Sequence, residues 1–578
     1  MVKPFLINFV KKEIYINQIT MKKFILLLAS LLASLLLPAQ DKMLDLLKGE
    51  LKSQMATLQK GEYPPYYMNY RVIDNFTRTV RSSMGATTSV EEEKQIIFVP
   101  QVRIGSPEFD NFHETQNGVL TNRFAGPPTI LLPSDLTNGL DAFKETIREE
   151  VNSRYKYAKK TYEAAKAKSG VKVENEDKSP DFTPAKAEKY FEPALSADKI
   201  AFDTDLWQKK LNKYTALLAE NKDVIGANAT LNYKIWRKYF VSTEGAEIAE
   251  NRVYVVLSIK GTTMADDGME LPLNKSYMAF SLDELPSEAL IIKDLKAMST
   301  KLSELKVAPL VQPFTGPSLL SGSASGVFFH EIFGHRVEGQ KMKSDSDGQT
   351  FKNMVGEYVL PKNLSVYMDP TMKKYHGNPL NGHYIFDDQG VRGERVEVVK
   401  DGKLLNFLMT RTGLNGFLRS NGHARAEFEY DPTSRQSNLI VETNNYKSDA
   451  ELRKMLIDEA KQQGKEYGYF FKSVTGGFTQ TGRTGANSFN VTPLEVYRIY
   501  VDGRKDELVR GVDMIGTPLS MFSNIDAAGG DFEIFTGTCG ASSGNVPVTA
   551  ISPTILVNKV ELQKKAKPTV TPALLPRP

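Results

Sequence analysis

Apolar residues in this chain recur at three- and four-residue steps in some stretches. In others they alternate or run together. Leu44, Leu47, Leu51, Met55 and Leu58 form a helical stripe, stopped by Gly61 and Pro64-Pro65. From Tyr66 to Ile104 the pattern turns β-like, with "YYMNYRVID" and "KQIIFVPQVRI" rich in aromatic and β-branched residues. Ser134 or Asp135 is placed to cap the next helix, the long charged "DAFKETIREEVNSRYKYAKKTYEAAKAKSG", which ends at Gly170. "VENEDKSPDFTPAKAEKY" is polar and broken by proline, which predicts an exposed excursion. Strands return from about Ala227 to Lys260 with a tight turn at "STEG", and an amphipathic helix follows from about Ser287. Helices mixed with antiparallel strands predict an α+β domain over residues 41–305.

After Val307 the texture changes. "APLVQPFTGPSLLSGSASG" is rich in Pro, Gly and Ser, and a domain boundary is expected near residue 306. Short strands with Gly, Asp and Asn turns follow, including the hairpin signal "KDGK" from Lys400 to Lys403. "DAELRKMLIDEAKQQG" reads as one helix. The expected C-terminal domain, residues 306–560, is β-rich and carries a helix at "VFFHEIFGHRVEG"; residues 561–578 read as a Pro-rich tail.

Composition suits a folded protein, 41% hydrophobic and 25% charged, and 578 residues are too many for one ordinary core. "MKKFILLLASLLASLLLPAQ" has Lys22 and Lys23, an apolar run from Phe24 to Leu37, and Ala39 before Gln40. That is the pattern of a secretory signal starting at Met21, and the run is short for a spanning helix, the alternative reading. The expectation is an exported chain, periplasmic or secreted, with no stable membrane anchor once residues 1–40 are removed. Residues 1–39 hold five lysines and one acid, so the remainder is formally neutral. Nothing in that balance favours a nucleic-acid partner. Cys539 is the sole cysteine, so no internal disulfide forms; it sits in "FTGTCGASSGNVPV", which reads as a glycine-rich loop.

The candidate chemistry centres on His330, Glu331 and His335. Zinc hydrolysis requires about three protein ligands, an open position for water, and a nearby base. In H-E-x-x-H the histidines lie about 40° apart around a helix; five apart, as here, an ideal helix separates them by about 140°. A shared ion therefore requires the helix to bulge or break, and Gly334 is where it could. Spacing alone leaves two ordinary histidines as an equal alternative. A third ligand must come from elsewhere. Cys539 is the first candidate; His423 is the next, or a substrate contact. His376 and His383 flank "GNPLNG" and read as loop residues, Glu338 could accept from a ligand histidine, and Asp387-Asp388 read as a turn.

At these residues the chain resembles the TldD/PmbA metalloprotease family. The likeness runs from "VFFHEIFGHRVEG" through "FDDQGVRGERVEVVKDGKLLNFL" and "ELVRGVDMIGTPLSMFSNI" to "CGASSGNVPVTAISPTILV", most of residues 306–560 in order. Residues 62–200 match poorly, and a charged helical insertion is expected near 150–195. The resemblance implies a Zn2+ peptidase with His330, His335 and Cys539 as ligands and Glu331 as general base. It further implies unfolded or short peptides as substrates, bound in extended form, and a homodimer or a heterodimer with a paralogue. The alternative is a non-catalytic peptide-binding partner subunit with a structural metal.

Overall fold

The computed structural model describes residues 41–113, 130–132, 140–169, 177–343, 347–428, 430–483 and 488–565. The signal-like run, the Ser134 or Asp135 cap and residues 566–578 of the expected tail lie outside these. The chain divides into two compact units, residues 1–49 and 50–578. Of the first, only residues 41–49 are described, and they open helix α1 (Lys42–Leu58). No helix among the described residues is long and apolar enough to cross a membrane.

The second unit begins with a seven-stranded sheet. Its strands are β1 (Pro65–Ser83), β2 (Ala86–Ile104), β3 (Ile130–Leu132), β4 (Lys189–Phe191), β5 (Val224–Ser242), β6 (Glu247–Met264) and β7 (Glu270–Ala279), ordered β3-β2-β1-β5-β6-β4 with β7 also on β6. The β5–β6 hairpin turns at the expected "STEG", where Gly245 takes a φ of +97°. Helix α2 (Leu140–Ser169) is the long charged helix; α3 (Thr204–Ala219) and α4 (Glu288–Val307) cover the sheet. Trp207, Leu211 and Leu218 of α3, with Ile291, Leu295 and Leu302 of α4, pack on Leu231, Val255, Leu257 and Ile259. The Ser287 hydroxyl accepts from Leu290 N–H and starts α4 where the sequence predicts.

The expected excursion after α2 is corrected in part. Asp181, Phe182 and Thr183 are buried, with the Phe182 ring between the Arg103 and Arg411 guanidinium groups at 4.0 and 3.7 Å. A polar sequence reads as exposed, but here two arginines cover Phe182.

The second sheet has twelve strands. Those used below are β8 (Phe314–Leu320), β9 (Leu364–Met368), β10 (Val396–Lys400), β11 (Lys403–Leu404), β12 (Asn438–Thr443), β13 (Tyr467–Thr479), β14 (Phe489–Tyr500), β15 (Val512–Gly516), β16 (Ile525–Ala541) and β17 (Gly544–Lys564). Their order is β11-β10-β9-β12-β17-β15-β14-β13-β8, and β17 also pairs with β8, so β17, β15, β14, β13 and β8 form a closed ring. Glu561–Lys564, read as tail, pair with β15 and extend β17. At "KDGK" the β10–β11 hairpin turns through Asp401 and Gly402, both with positive φ (47° and 80°), as a two-residue turn matched to strand twist requires. Helices α5 (Gly322–Ile332), α6 (Gly339–Lys343) and α7 (Asp449–Gln462) complete the elements used here. The architecture is α+β throughout.

Candidate metal centre and its cleft

Helix α5 carries the motif. Ser321 caps its first turn by accepting from Ala324 N–H. "GSASG", the end of the Pro-, Gly- and Ser-rich stretch, is the helix's contact face. A Cβ on Gly322 would lie 2.4 Å from Ser552 O, and one on Gly326 would lie 3.1 Å from the Ala550 Cβ. Glycines four apart thus let α5 settle onto β17, and Ser325 and Ser552 hydroxyls meet at 2.7 Å. Phe328, Phe329 and Ile332 fill the main core.

The helix then stops. Regular α-structure ends at Ile332, Phe333 has φ −112° and ψ −56°, and Gly334–Arg336 forms a 3-10 turn. The 140° divergence expected of an unbroken helix is thereby removed, and the His330 and His335 ring centroids lie 5.0 Å apart. Gly334 does not adopt a positive φ. Its reason is steric, since a Cβ there would lie 1.9 Å from the Gln436 Oε1. Arg336 seals the broken end: its Nη1 donates to Glu331 O (2.9 Å), Ile332 O (3.1 Å) and Thr479 Oγ1 (3.0 Å).

Cys539 lies near the end of β16, opposite Val546 in the β16–β17 hairpin. The expected loop is corrected: the glycines fall within a long antiparallel pair that turns at Ala541–Gly544. The Cys539 Sγ is 3.2 Å from His335 Nε2. One ligand-type atom from each of His330, His335 and Cys539 falls within 4.8 Å of the others, and all three residues are buried.

Burial works against charge on Cys539, but His335, His330 and Arg435 outweigh it and hold the thiol well below its usual range. Burial likewise opposes a charged His335; the Cys539 and Glu338 negative charges raise it to about 10. The pocket thus favours a thiolate, the form that binds metal. Glu338 is fully buried, lies 3.2 Å from His335 Nδ1 and pairs with Lys341 at 2.8 Å. Despite burial, Lys341 and His335 hold it below the usual carboxylate range. It fixes the His335 ring with Nε2 toward the cysteine.

The three residues and Glu331 line one cleft of about 1800 Å³. Its walls come from β6 and β7 on one side and from β13 and β16 on the other. Burial raises the Glu331 pKa, while His330 and His335 pull it down. Gly477 of β13 passes directly over Glu331; a Cβ there would lie 2.6 Å from Glu331 Cγ.

The other expected residues lie elsewhere. His423 is fully buried and lines no part of the cleft; its Nδ1 is 3.0 Å from Asn421 O and its Nε2 3.2 Å from Ser437 Oγ. A substrate contact for His423 is therefore corrected to a structural place. His383 Nδ1 bonds Pro370 O at 2.7 Å, and His376 is a positive-φ turn residue. Asp387 accepts from the backbone N–H groups of Gln389, Val391 and Ala424, as a turn residue does. Sequence reasoning missed Gly477 and the run Thr433–Asn438. The latter is polar throughout yet entirely buried, and no periodicity signals that.

Residues 315–564 match the PmbA/TldA metallopeptidase C-terminal domain family. A metalloprotease from Archaeoglobus fulgidus is 30% identical over 238 residues, 41% of this chain and 51% of that protein. A protein named zinc metalloprotease TldD homolog, from Saccharolobus solfataricus, is 26% identical over 342 residues, 57% and 69% of the two chains. The first alignment thus spans about half of its relative's length. The solved structure of TldE from Thermococcus kodakarensis superposes with a TM-score of 0.59 at 12% identity, covering 90% of this chain and all of that one, a likeness of fold. The His330, His335 and Cys539 cluster thus lies within the segment that resembles a metallopeptidase C-terminal domain. The family match lies in the C-terminal part of the chain, residues 315–564, and the relatives that align with it are named metalloproteases and TldD homologs.

Proposed function

We propose that this chain is an exported zinc-dependent peptidase that hydrolyses unfolded or short peptides, with Glu331 as general base. The observation that carries the reading is the convergence of His330, His335 and Cys539 beside Glu331 in a large cleft. Two imidazoles and a thiolate are a donor set that suits zinc, and His335 is already oriented by Glu338. Among the described residues no fourth side chain joins the cluster, which favours an open catalytic site over a closed structural one. Zinc held there would supply Lewis acidity, acidifying a water and polarising a peptide carbonyl.

Glu331 would take the proton from that water and return it to the leaving amine. Its raised pKa suits a base working toward neutral pH. Residues 474–479 of β13 pair with β14 on one side and 532–541 of β16 with β17 on one side; neither has a second strand partner among the described residues. Both segments line the cleft. Such edges suit an extended peptide held through its backbone, which tolerates many sequences. Export, a periplasmic or secreted address, and dimerisation with itself or a paralogue complete the reading.

Purified protein is expected to hold about one zinc per chain. Glu331→Gln should retain it and lose at least about 100-fold in cleavage of an unfolded peptide, the scale of general-base catalysis. Parent-like cleavage by Glu331→Gln would remove Glu331 from the mechanism.

A further inference from the structure

The three ligand candidates come from two segments, His335 and Cys539 lying 204 residues apart in sequence. Something must hold those segments in register. Arg435 and Gln436 are 1% and 0% exposed, and neither touches a ligand atom of the cluster through a hydrogen bond. Their side chains instead grip the main chain on both sides of the site.

Gln436 Nε2 donates to His330 O at 3.1 Å. Its amide also lies against Gly334, at the position where the helix breaks between the two histidines. Arg435 reaches the other way. One guanidinium nitrogen donates to Cys539 O at 2.6 Å, and another to Ser543 Oγ and Gly544 O, each at 2.8 Å. Those three acceptors span the turn of the Cys539 hairpin. Arg435 Nε lies 3.8 Å from Glu338, the carboxylate that orients His335. The pair is itself anchored: Arg435 N–H donates to His423 O at 3.0 Å, and the Arg425 guanidinium donates to Gln436 O at 2.5 Å.

We infer that the buried Arg435-Gln436 dipeptide is the positioning element that registers His330, His335 and Cys539 against one another. The inference rests on the metallopeptidase reading. One dipeptide thus faces the helix break through Gln436 and the hairpin through Arg435 at once. A lysine at 435 could not reproduce the fork, because one ammonium cannot span three acceptors held at fixed angles. Gly334 then belongs to the same device, being the seat that Gln436 occupies.

The test is zinc affinity, measured by competition with a chromophoric chelator, together with the absorption spectrum of the cobalt-substituted protein. Metal-stripped samples are compared in parallel by thermal unfolding. Arg435→Lys and Gln436→Glu are expected to weaken zinc binding about 10- to 100-fold, as loss of groups that orient ligands does. The cobalt spectrum should change, while the stripped proteins unfold within a few degrees of the parent. Gly334→Ala should weaken zinc comparably in the parent and by about twofold or less when Gln436 is already glycine, a coupling that a double-mutant cycle isolates. If Arg435→Lys fails to fold, the Gly334 and Gln436 cycle decides alone. Zinc affinity unchanged in both single variants, or an equal cost of Gly334→Ala in both backgrounds, would overturn the inference. A parent that binds no zinc would instead overturn the peptidase reading on which it stands.

Discussion

Gly477 leaves room for Glu331, and that is a prediction at the scale of one methyl group. Gly477→Ala places a carbon 2.6 Å from Glu331 Cγ, so the carboxylate must move. Zinc content should persist while kcat falls about tenfold or more, since small misplacements of a catalytic group cost that much. A second prediction concerns acid. Burial pushes His423 down to about 3 and His383 down to about 4. Both stay neutral in the fold but gain protons when unfolded, so their stabilising effect is full above about pH 6.5 and is lost as pH falls. The loss is at most about 1.4 kcal/mol per pH unit for each. Urea midpoints at pH 7.5 and 5 should therefore differ less in His423→Gln than in the parent. The cluster's own residues were legible in the sequence because their chemistry is scarce: one cysteine and six histidines. Gly477, Arg435 and Gln436 were not, because a glycine packed against a carboxylate and a buried arginine look ordinary until their neighbours are known.

At the scale of elements, a stripe of alternating or periodic apolar residues was sufficient to place most strands and helices. Where the reading failed, glycine and polar residues had roles that periodicity does not encode. "GSASG" is a helix face pressed on β17, and the glycines around Cys539 lie in a hairpin. The break after Ile332 was demanded by the spacing of the histidines, yet the residue that seals it, Arg336, had no sequence signature. Arg336→Met strips donors from Glu331 O and Ile332 O in a buried setting. It should cost about 1–3 kcal/mol in denaturant unfolding, the penalty for orphaned buried carbonyls. A parent-like midpoint would show that the helix end needs no such cap.

At the scale of the molecule, the segments before and after residue 306 are joined by more than the chain. Leu310, Leu494 and Leu508 pack against the core of the first sheet. Arg411, 2% exposed, makes a forked pair with Glu244 at 2.7 and 2.8 Å, and Arg510 pairs with Asp267 at 3.0 Å. Residues 50–565 should accordingly unfold in one calorimetric transition. Arg411→Ala removes the pair and the stacking on Phe182 and should lower stability by about 2–4 kcal/mol; two separated transitions in the parent would contradict this. The change in composition near residue 306 was visible in the sequence, whereas the ties across it depend on pairs far apart in sequence. The position of Cys539 has a further consequence. On the proposed ligand set, a chain under synthesis has both histidines long before it has the cysteine. It cannot complete its metal site until the Ile525–Lys564 hairpin has been made and folded. Hydrolytic competence is then one of the last properties the molecule acquires, and incomplete chains are silent.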